Sequence, residues 1–491
     1  MRDFKNYAYS ILLVITFALG VALRLKVLLL GHGFQTDEAN LALNLIDRNY
    51  LQLFLPLNHF QVAPPFFLIL SKFVYSSVHS NIPYISDLLF RLLPFISGVL
   101  AIPVFGYLLN LLFRNKIINL IGMFSISIVP TVISYSCIFK QYSTEMLVLM
   151  LMLIAFLKID FSSKSKLKNI LLMTALGLAP FFSMTAVFVY PGGFLYLILK
   201  NIKTKDFMKN FCPCIIPFAF LFLVYVIVSL YPVCQTHYAG MCEYWKSDVS
   251  KNVFGFMQTM FDSLFRTKSL FISTSNADYK VLPIILFFFA GLILFLKNNY
   301  KQLILCAFPI LTTYIFFCFN SYPLEERFFV FLTPCVLLIC LYPLLPLVTN
   351  KKSAVFILSV FSVFVFNYIF HLNSAWVLVI HKPAVPSVQI WDYWKTHYKK
   401  DGDIILSDSV SLGQYYYRLY SDNSVKCTAL SDNKISKGTH YLIITSFYSK
   451  GKKEVENLKK SNIKIIDEQI FAVPTSTDYI RKSYYLKFVK P

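Results

Sequence analysis

Residues 23–44, LRLKVLLLGHGFQTDEANLALN, run from the end of a long apolar stretch straight into two adjacent acids, Asp37 and Glu38. An apolar run of this kind, from about residue 8 to 30, is long enough to cross a bilayer as a helix. It is too long for a signal-peptide core and lacks a small-residue cleavage site, so it reads as a retained anchor. The acids that follow have two readings. Thr36 can cap a helix whose first turn holds Asp37 and Glu38 against the positive end of the dipole. A carboxylate pair at the mouth of a membrane cavity can equally act as a general base or hold a divalent cation. Local spacing leaves both open.

The rest of the chain agrees with the anchor. Of 491 residues, 57% are hydrophobic and 14% charged, with a mean hydropathy of +0.60. Soluble domains carry about 45–50% apolar and about 25% charged residues, so a soluble globule is excluded. Disorder is excluded for the same reason. Further apolar runs fall near 88–113, 117–136, 143–158, 169–184, 185–199, 211–231, 281–296, 302–319, 328–348 and 354–371. The chain is thus predicted to be a polytopic α-helical membrane protein of about eleven spans.

The excess of 46 Lys+Arg over 25 Asp+Glu, a net charge of +21, is read through its position rather than as a nucleic-acid surface. With the N-terminus inside, the inner segments collect Arg2, Lys5, Arg114 and Lys116. They also collect Lys158 to Lys168, Lys200 to Lys209, Lys297, Lys301, Lys351 and Lys352. The short outer loops hold only Lys140 and Arg327 as bases. This orientation puts the N-terminus in the cytoplasm and the chain in the inner (plasma) membrane. Arg24 and Lys26 run against the bias, and snorkelling places them at the interface. Outside lie the 31–87 loop, the 232–280 loop and the tail from 372. Cys234 and Cys242 share the second of these and can bridge in an oxidising compartment. In 31–87, apolar pieces too short to span, such as FFLILSKFVY, read as interfacial helices. In the tail, DIILS, YLIITS, IKIIDE and YLKFV alternate with helical stretches such as KKEVENLKK. That pattern predicts a small α/β domain over 372–491 following a membrane domain over 1–371.

Chemistry is sought among polar groups at membrane depth or at the outer rim, where they are costly. NHFQVAPPFFLIL (58–70) sets His59 and Gln61 before a proline pair that opens an apolar helix. FRLLPF (90–95) puts Arg91 at the outer end of the second span, as an anchor or a ligand. FKQYSTEMLVLML (139–151) brings Lys140, Tyr142 and Glu145 to the outer turn between two spans. NSYPLEERFFVFLTP (320–334) brings Glu325, Glu326 and Arg327 to another span end, as a local salt bridge or as a phosphate site. No Walker A, Rossmann or kinase motif is present.

In order, these segments resemble the GT-C superfamily of membrane glycosyltransferases. The likeness is strongest to family 39 and its bacterial relatives, the protein O-mannosyltransferases and lipid A aminoarabinose transferases. LRLKVLLLGHGFQTDEANLALN resembles their first span and acidic motif, and QVAPPFFLIL their paired-proline motif. FRLLPFISGVLAIPVFGYLL resembles the Arg-Leu-Pro start of the second span, while FKQYSTEMLVLML and YPLEERFFVFLTP resemble two later segments. The similarity covers about residues 8–350.

The resemblance implies an inverting transfer of a sugar from a polyprenyl-phosphate carrier to an acceptor hydroxyl or phosphate on the outer face. That acceptor would be a glycolipid, a polysaccharide or a protein. Asp37 would be the base and Glu38 the second member of the acidic pair. Glu145 falls where relatives carry another acid, and His59, Gln61, Tyr142, Lys140, Arg91 and Arg327 would contact substrate. No cofactor is required by the pattern; if a divalent cation is used, Asp37 and Glu38 are its candidates. One departure stands out. The aminoarabinose transferases carry Lys before the paired prolines, and this chain has Ala63, so the leaving phosphate must be met by Lys140, Arg327 or Arg91. Two other classes compete: a multi-span transporter or lipid-carrier flippase, and a scaffold whose tail recruits partners. The internal repeats typical of transporters are not found.

Overall fold

Apolar side chains all round a helix suit a lipid surround, and the first run behaves accordingly. In the computed structural model Arg2–Leu30 form one helix, α1, about 44 Å long at the standard rise. The structure describes residues 2–30, 33–78, 83–161, 166–203, 207–236, 253–265, 282–319, 321–323, 325–349, 393, 396, 402–407, 415, 426–429, 438–444, 464–473 and 481–490. The predicted span at 354–371, the domain boundary at 371/372, the stretch KKEVENLKK and Cys242 lie outside the described residues; Cys234 is a free thiol.

After α1, Gly33 turns the chain at φ 81, a backbone conformation that favours glycine. The short helix α2 (Thr36–Asp47) follows, then α3 (Pro65–Val78), which starts on the second proline of the pair. Helix α4 (Pro83–Phe113) runs 31 residues through Pro94 and Pro103. At about 46 Å it exceeds the roughly 30 Å hydrocarbon thickness, leaving a turn or more for the rim.

Asn115 caps α5 (Lys116–Ile128), its side-chain oxygen accepting from the amides of Ile117 and Ile118. Pro130 has no N–H to continue the ladder, so the chain breaks at Val129 and resumes as α6 (Pro130–Ser136) after a 56° bend. The break frees carbonyls in the core, and Arg24 of α1 fills them. Its guanidinium is fully buried and donates to Ile126 O and Ser127 O, each at 3.1 Å, and to Gly20 O at 2.9 Å. The expected snorkelling of Arg24 is therefore corrected. A broken helix supplies acceptors inside the bundle, so the cation turns inward.

The later helices are α7 (Tyr142–Lys158), α8 (Lys166–Phe182), α9 (Tyr190–Asn201), α10 (Phe207–Tyr225), α11 (Val253–Phe265), α12 (Leu282–Cys318), α13 (Thr333–Leu341) and α14 (Leu344–Thr349). Helix α12 contains the non-helical Asn299, at the inner turn expected between the 281–296 and 302–319 runs. Asn299 donates to the Tyr342 hydroxyl at 2.9 Å. Close packing fixes α12 on α13, for a Cβ added at Gly291 would run into the carbonyl oxygen of Ile339. Among the described residues, four helices are long and apolar enough to cross a membrane, or five counting the bent pair.

The tail forms a five-stranded mixed sheet of β1 (Gly402–Ser407), β2 (Lys426–Ala429), β3 (Gly438–Ile444), β4 (Lys464–Val473) and β5 (Arg481–Lys490), in the order β2-β1-β3-β5-β4. Strand β1 is parallel to β2 and β3, and β5 is antiparallel to β3 and β4. The described residues of all four runs read as strands from the sequence are in strands; the short β2 has no such run.

Candidate functional site

The acidic helix is held from below by an ion pair. Glu38 is 1% exposed, and each of its oxygens accepts two hydrogen bonds. Oε1 takes Arg91 Nε at 2.9 Å and the Phe139 amide at 2.7 Å. Oε2 takes Arg91 Nη2 at 2.9 Å and the Gln35 amide at 3.0 Å. Gln35, not Thr36, is the N-cap of α2, and Glu38 satisfies its amide in the reciprocal manner of a capping box. Arg91 also donates to Gly33 O at 2.8 Å and lies over the Phe34 ring at 5.1 Å. The guanidinium is buried, so it is not an interfacial anchor. Three segments distant in sequence, the acidic motif, the Arg-Leu-Pro start and the 139–151 turn, are thus knotted on one carboxylate.

Asp37, the neighbouring acid, faces the other way. Its side chain is 47% exposed and meets Arg327 Nη1 at 2.8 Å. Arg327 also pairs with Glu325 at 2.7 Å, and its guanidinium lies over the Phe328 ring. Beside them Lys140, 8% exposed, donates to Gln61 Oε1 at 2.6 Å. Burial pulls the Lys140 ammonium down to about 8, with Asp37 the strongest charge acting in the opposite direction. Gln61 in turn donates to the carbonyl of His59. His59 and Phe60 take left-handed φ values of 60° and 52°, and His59 is exposed. The structure therefore groups Asp37, Arg327, Lys140 and Gln61, with His59 one step outward.

Tyr142 and Glu145 lie in the first turn of α7, both buried. Tyr142 packs edge-on against Tyr135 and Phe328, which ties it to the Arg327 segment. Glu145 receives a hydrogen bond from the Met184 backbone and interacts electrostatically with Tyr225 and Tyr322.

Sequence reasoning missed several members. Phe34 and Phe139 sit in a buried aromatic cluster under α2 with Phe67 and Phe90. Asp87, one helical turn before Arg91, accepts from the Tyr415 hydroxyl at 2.8 Å. The Asp-Leu-Leu-Phe-Arg spacing of 87–91 was the available signal for Asp87; nothing local marks Tyr415.

Every acceptor position of Glu38 is filled and Asp37 lies against Arg327, so in this arrangement the two acids do not converge on one point. Among the described residues no three of His, Cys, Asp and Glu gather in a group able to hold a metal ion.

No protein-family profile matches the chain, and no curated protein matches it. Solved structures do. The chain is similar to ArnT from Cupriavidus metallidurans in the apo state, at 11% identity and a TM-score of 0.56, covering 96% of this chain and 97% of that one. The same protein bound to undecaprenyl phosphate gives 0.57 at the same identity and coverage. The oligosaccharyltransferase of Archaeoglobus fulgidus in the apo form gives 0.52 at 14% identity, covering 87% of this chain and 65% of that one. Apolar helices of spanning length, in an arrangement shared along nearly the whole of ArnT, make this chain a polytopic helical membrane protein with the fold of ArnT.

Proposed function

We propose that the protein transfers a sugar from a polyprenyl-phosphate carrier to an acceptor on the outer face of the cell membrane, with inversion at the anomeric carbon. One observation carries this: a half-exposed carboxylate, Asp37, stands against Arg327 and beside the buried ammonium of Lys140. Transfer to a hydroxyl needs that combination, a base for the incoming oxygen and cations for the departing phosphate.

The acceptor O–H loses its proton to Asp37 as its oxygen bonds to the anomeric carbon. The bond from that carbon to the phosphate oxygen breaks, and the polyprenyl phosphate leaves with the electron pair. Phosphate is a good leaving group, so no carboxylic acid is needed opposite, unlike in glycoside hydrolysis. Arg327 takes phosphate oxygens by its fork and Lys140 as a point charge. An arriving phosphate competes with Asp37 for Arg327 and so frees the carboxylate for the acceptor. Gln61 orients Lys140, and Glu38 with Arg91 sets the height of α2. Tyr142 packs beside Phe328 near the phosphate cations, Glu145 faces the sugar, and His59 meets substrate at the rim. A carrier of this type is bound by ArnT, the neighbour whose fold the chain shares. Eleven spans, a cytoplasmic N-terminus and an outer tail complete the arrangement, supported by the basic residues collected at one set of loops.

The test is turnover in proteoliposomes with a polyprenyl-phosphate sugar. Asp37→Asn should lose nearly all transfer while inserting normally; a flippase would keep working. Mass spectrometry of outer glycolipids and glycoproteins, with and without the gene, then names sugar and acceptor from one mass shift.

A further inference from the structure

Tyr415 belongs to the tail, eight residues past the end of β1, yet it is fully buried in the aromatic cluster under the acidic helix. Its ring stacks on Phe34 with centroids 4.7 Å apart and planes at 24°, and it meets Phe90 at 6.3 Å. Its hydroxyl donates to Asp87 Oδ1 at 2.8 Å. Those contacts are not scattered. Phe34 precedes the cap of α2 and carries the Arg91 guanidinium over its face. Asp87 lies one turn from Arg91 on α4. A single tail side chain therefore grips both sides of the Glu38–Arg91 knot. A second tail residue joins it: Tyr393 packs against the same cluster, and its hydroxyl donates to Asp467 of β4 at 3.0 Å.

We infer that the tail is a working part of the active site, and that Tyr415 is a positioning residue that fixes α2, and with it Asp37, at the height where the acceptor is met. This rests on the glycosyl-transfer reading above. Among the described residues Asp37 is held on its exposed side by Arg327 alone, a partner the donor phosphate draws away. Its position must then come from below, through Glu38, Arg91, Phe34 and the tail.

The experiment measures donor and acceptor kinetics together with amide exchange on full-length protein. Tyr415→Ala removes both ring and hydroxyl; kcat should fall about tenfold or more while the donor KM stays within about twofold. Exchange of the Gln35 and Phe139 amides, both donors to Glu38, should quicken about tenfold or more, with β3 and β5 unaffected. Tyr415→Phe keeps the stack and should restore both readouts to within about fivefold of the parent. If Tyr415→Ala fails to insert, Asp87→Asn reads the same link from the membrane side, with a fall of about two- to fivefold in kcat. Unchanged exchange and kcat in Tyr415→Ala overturn the inference. So does parallel loss of protection in β3, which would make Tyr415 only a tail-folding residue. An Asp37→Asn protein that still turns over sinks glycosyl transfer and leaves the exchange result standing. A dead Asp37→Asn beside an unaltered Tyr415→Ala sinks the positioning role alone.

Discussion

The Glu38–Arg91 pair gives the sharpest quantitative expectation. Both side chains are buried, the carboxylate accepts four hydrogen bonds, and two of them are the bidentate pair itself. Arg91→Met leaves a carboxylate buried with only two amide donors, and Glu38→Gln leaves a guanidinium buried without its counter-ion. Breaking one side of such a pair costs about 3–5 kcal/mol. The double variant Glu38→Gln/Arg91→Met removes both charges, and its cost should fall below the sum of the singles by about 2–4 kcal/mol. Denaturation of the purified protein in detergent, followed by the two singles and the double in one cycle, reads the coupling directly. Each single should also lose turnover, because α2 carries Asp37. Singles within about 0.5 kcal/mol of the parent, or a strictly additive double, would refute the assignment of this pair as the strut beneath the acidic helix.

Other expectations follow from the same geometry. Asp37→Asn should lower kcat by about 10²–10⁴ with a donor KM near the parent value, read in reconstituted transfer assays. Arg327→Ala should raise the donor KM, and Arg327→Lys should recover only part of it, since an ammonium cannot reproduce the bidentate fork. Lys140 is pulled down from 10.5 to about 8 by burial, so phosphate binding should weaken as pH rises through about 8. Lys140→Arg should move that alkaline limb out of range. The stability sign is opposite: with the folded value below the unfolded one, this lysine opposes folding most below pH 8, and that cost is relieved between about 8 and 10.5. Gly291→Ala should destabilise by about 1–3 kcal/mol without touching donor KM, because the new methyl meets a backbone carbonyl that cannot turn aside.

Much of the molecule was legible in one dimension. Hydropathy alone fixes a many-span membrane protein, because lipid demands long uninterrupted apolar helices. The strand runs of the tail and the polar segments at 31–44, 58–70, 90–95, 139–151 and 320–334 were visible too, since ionisable groups among apolar runs are rare enough to stand out. What each polar residue does was decided in three dimensions. Asp37 and Glu38 are neighbours with the same chemistry, yet one is buried against Arg91 and the other half-exposed against Arg327. A helix turns successive side chains about 100° apart, and only the elements packed around α2 determine which direction is core and which is open. Arg24 shows the same dependence, because two of its three acceptors, Ile126 O and Ser127 O, are opened where Pro130 breaks a different helix. Tyr415 shows it most fully. Its partners Phe34 and Asp87 lie more than three hundred residues away, where no local pattern carries a trace of the contact, so the tail's place at the site emerges only when the chain is folded.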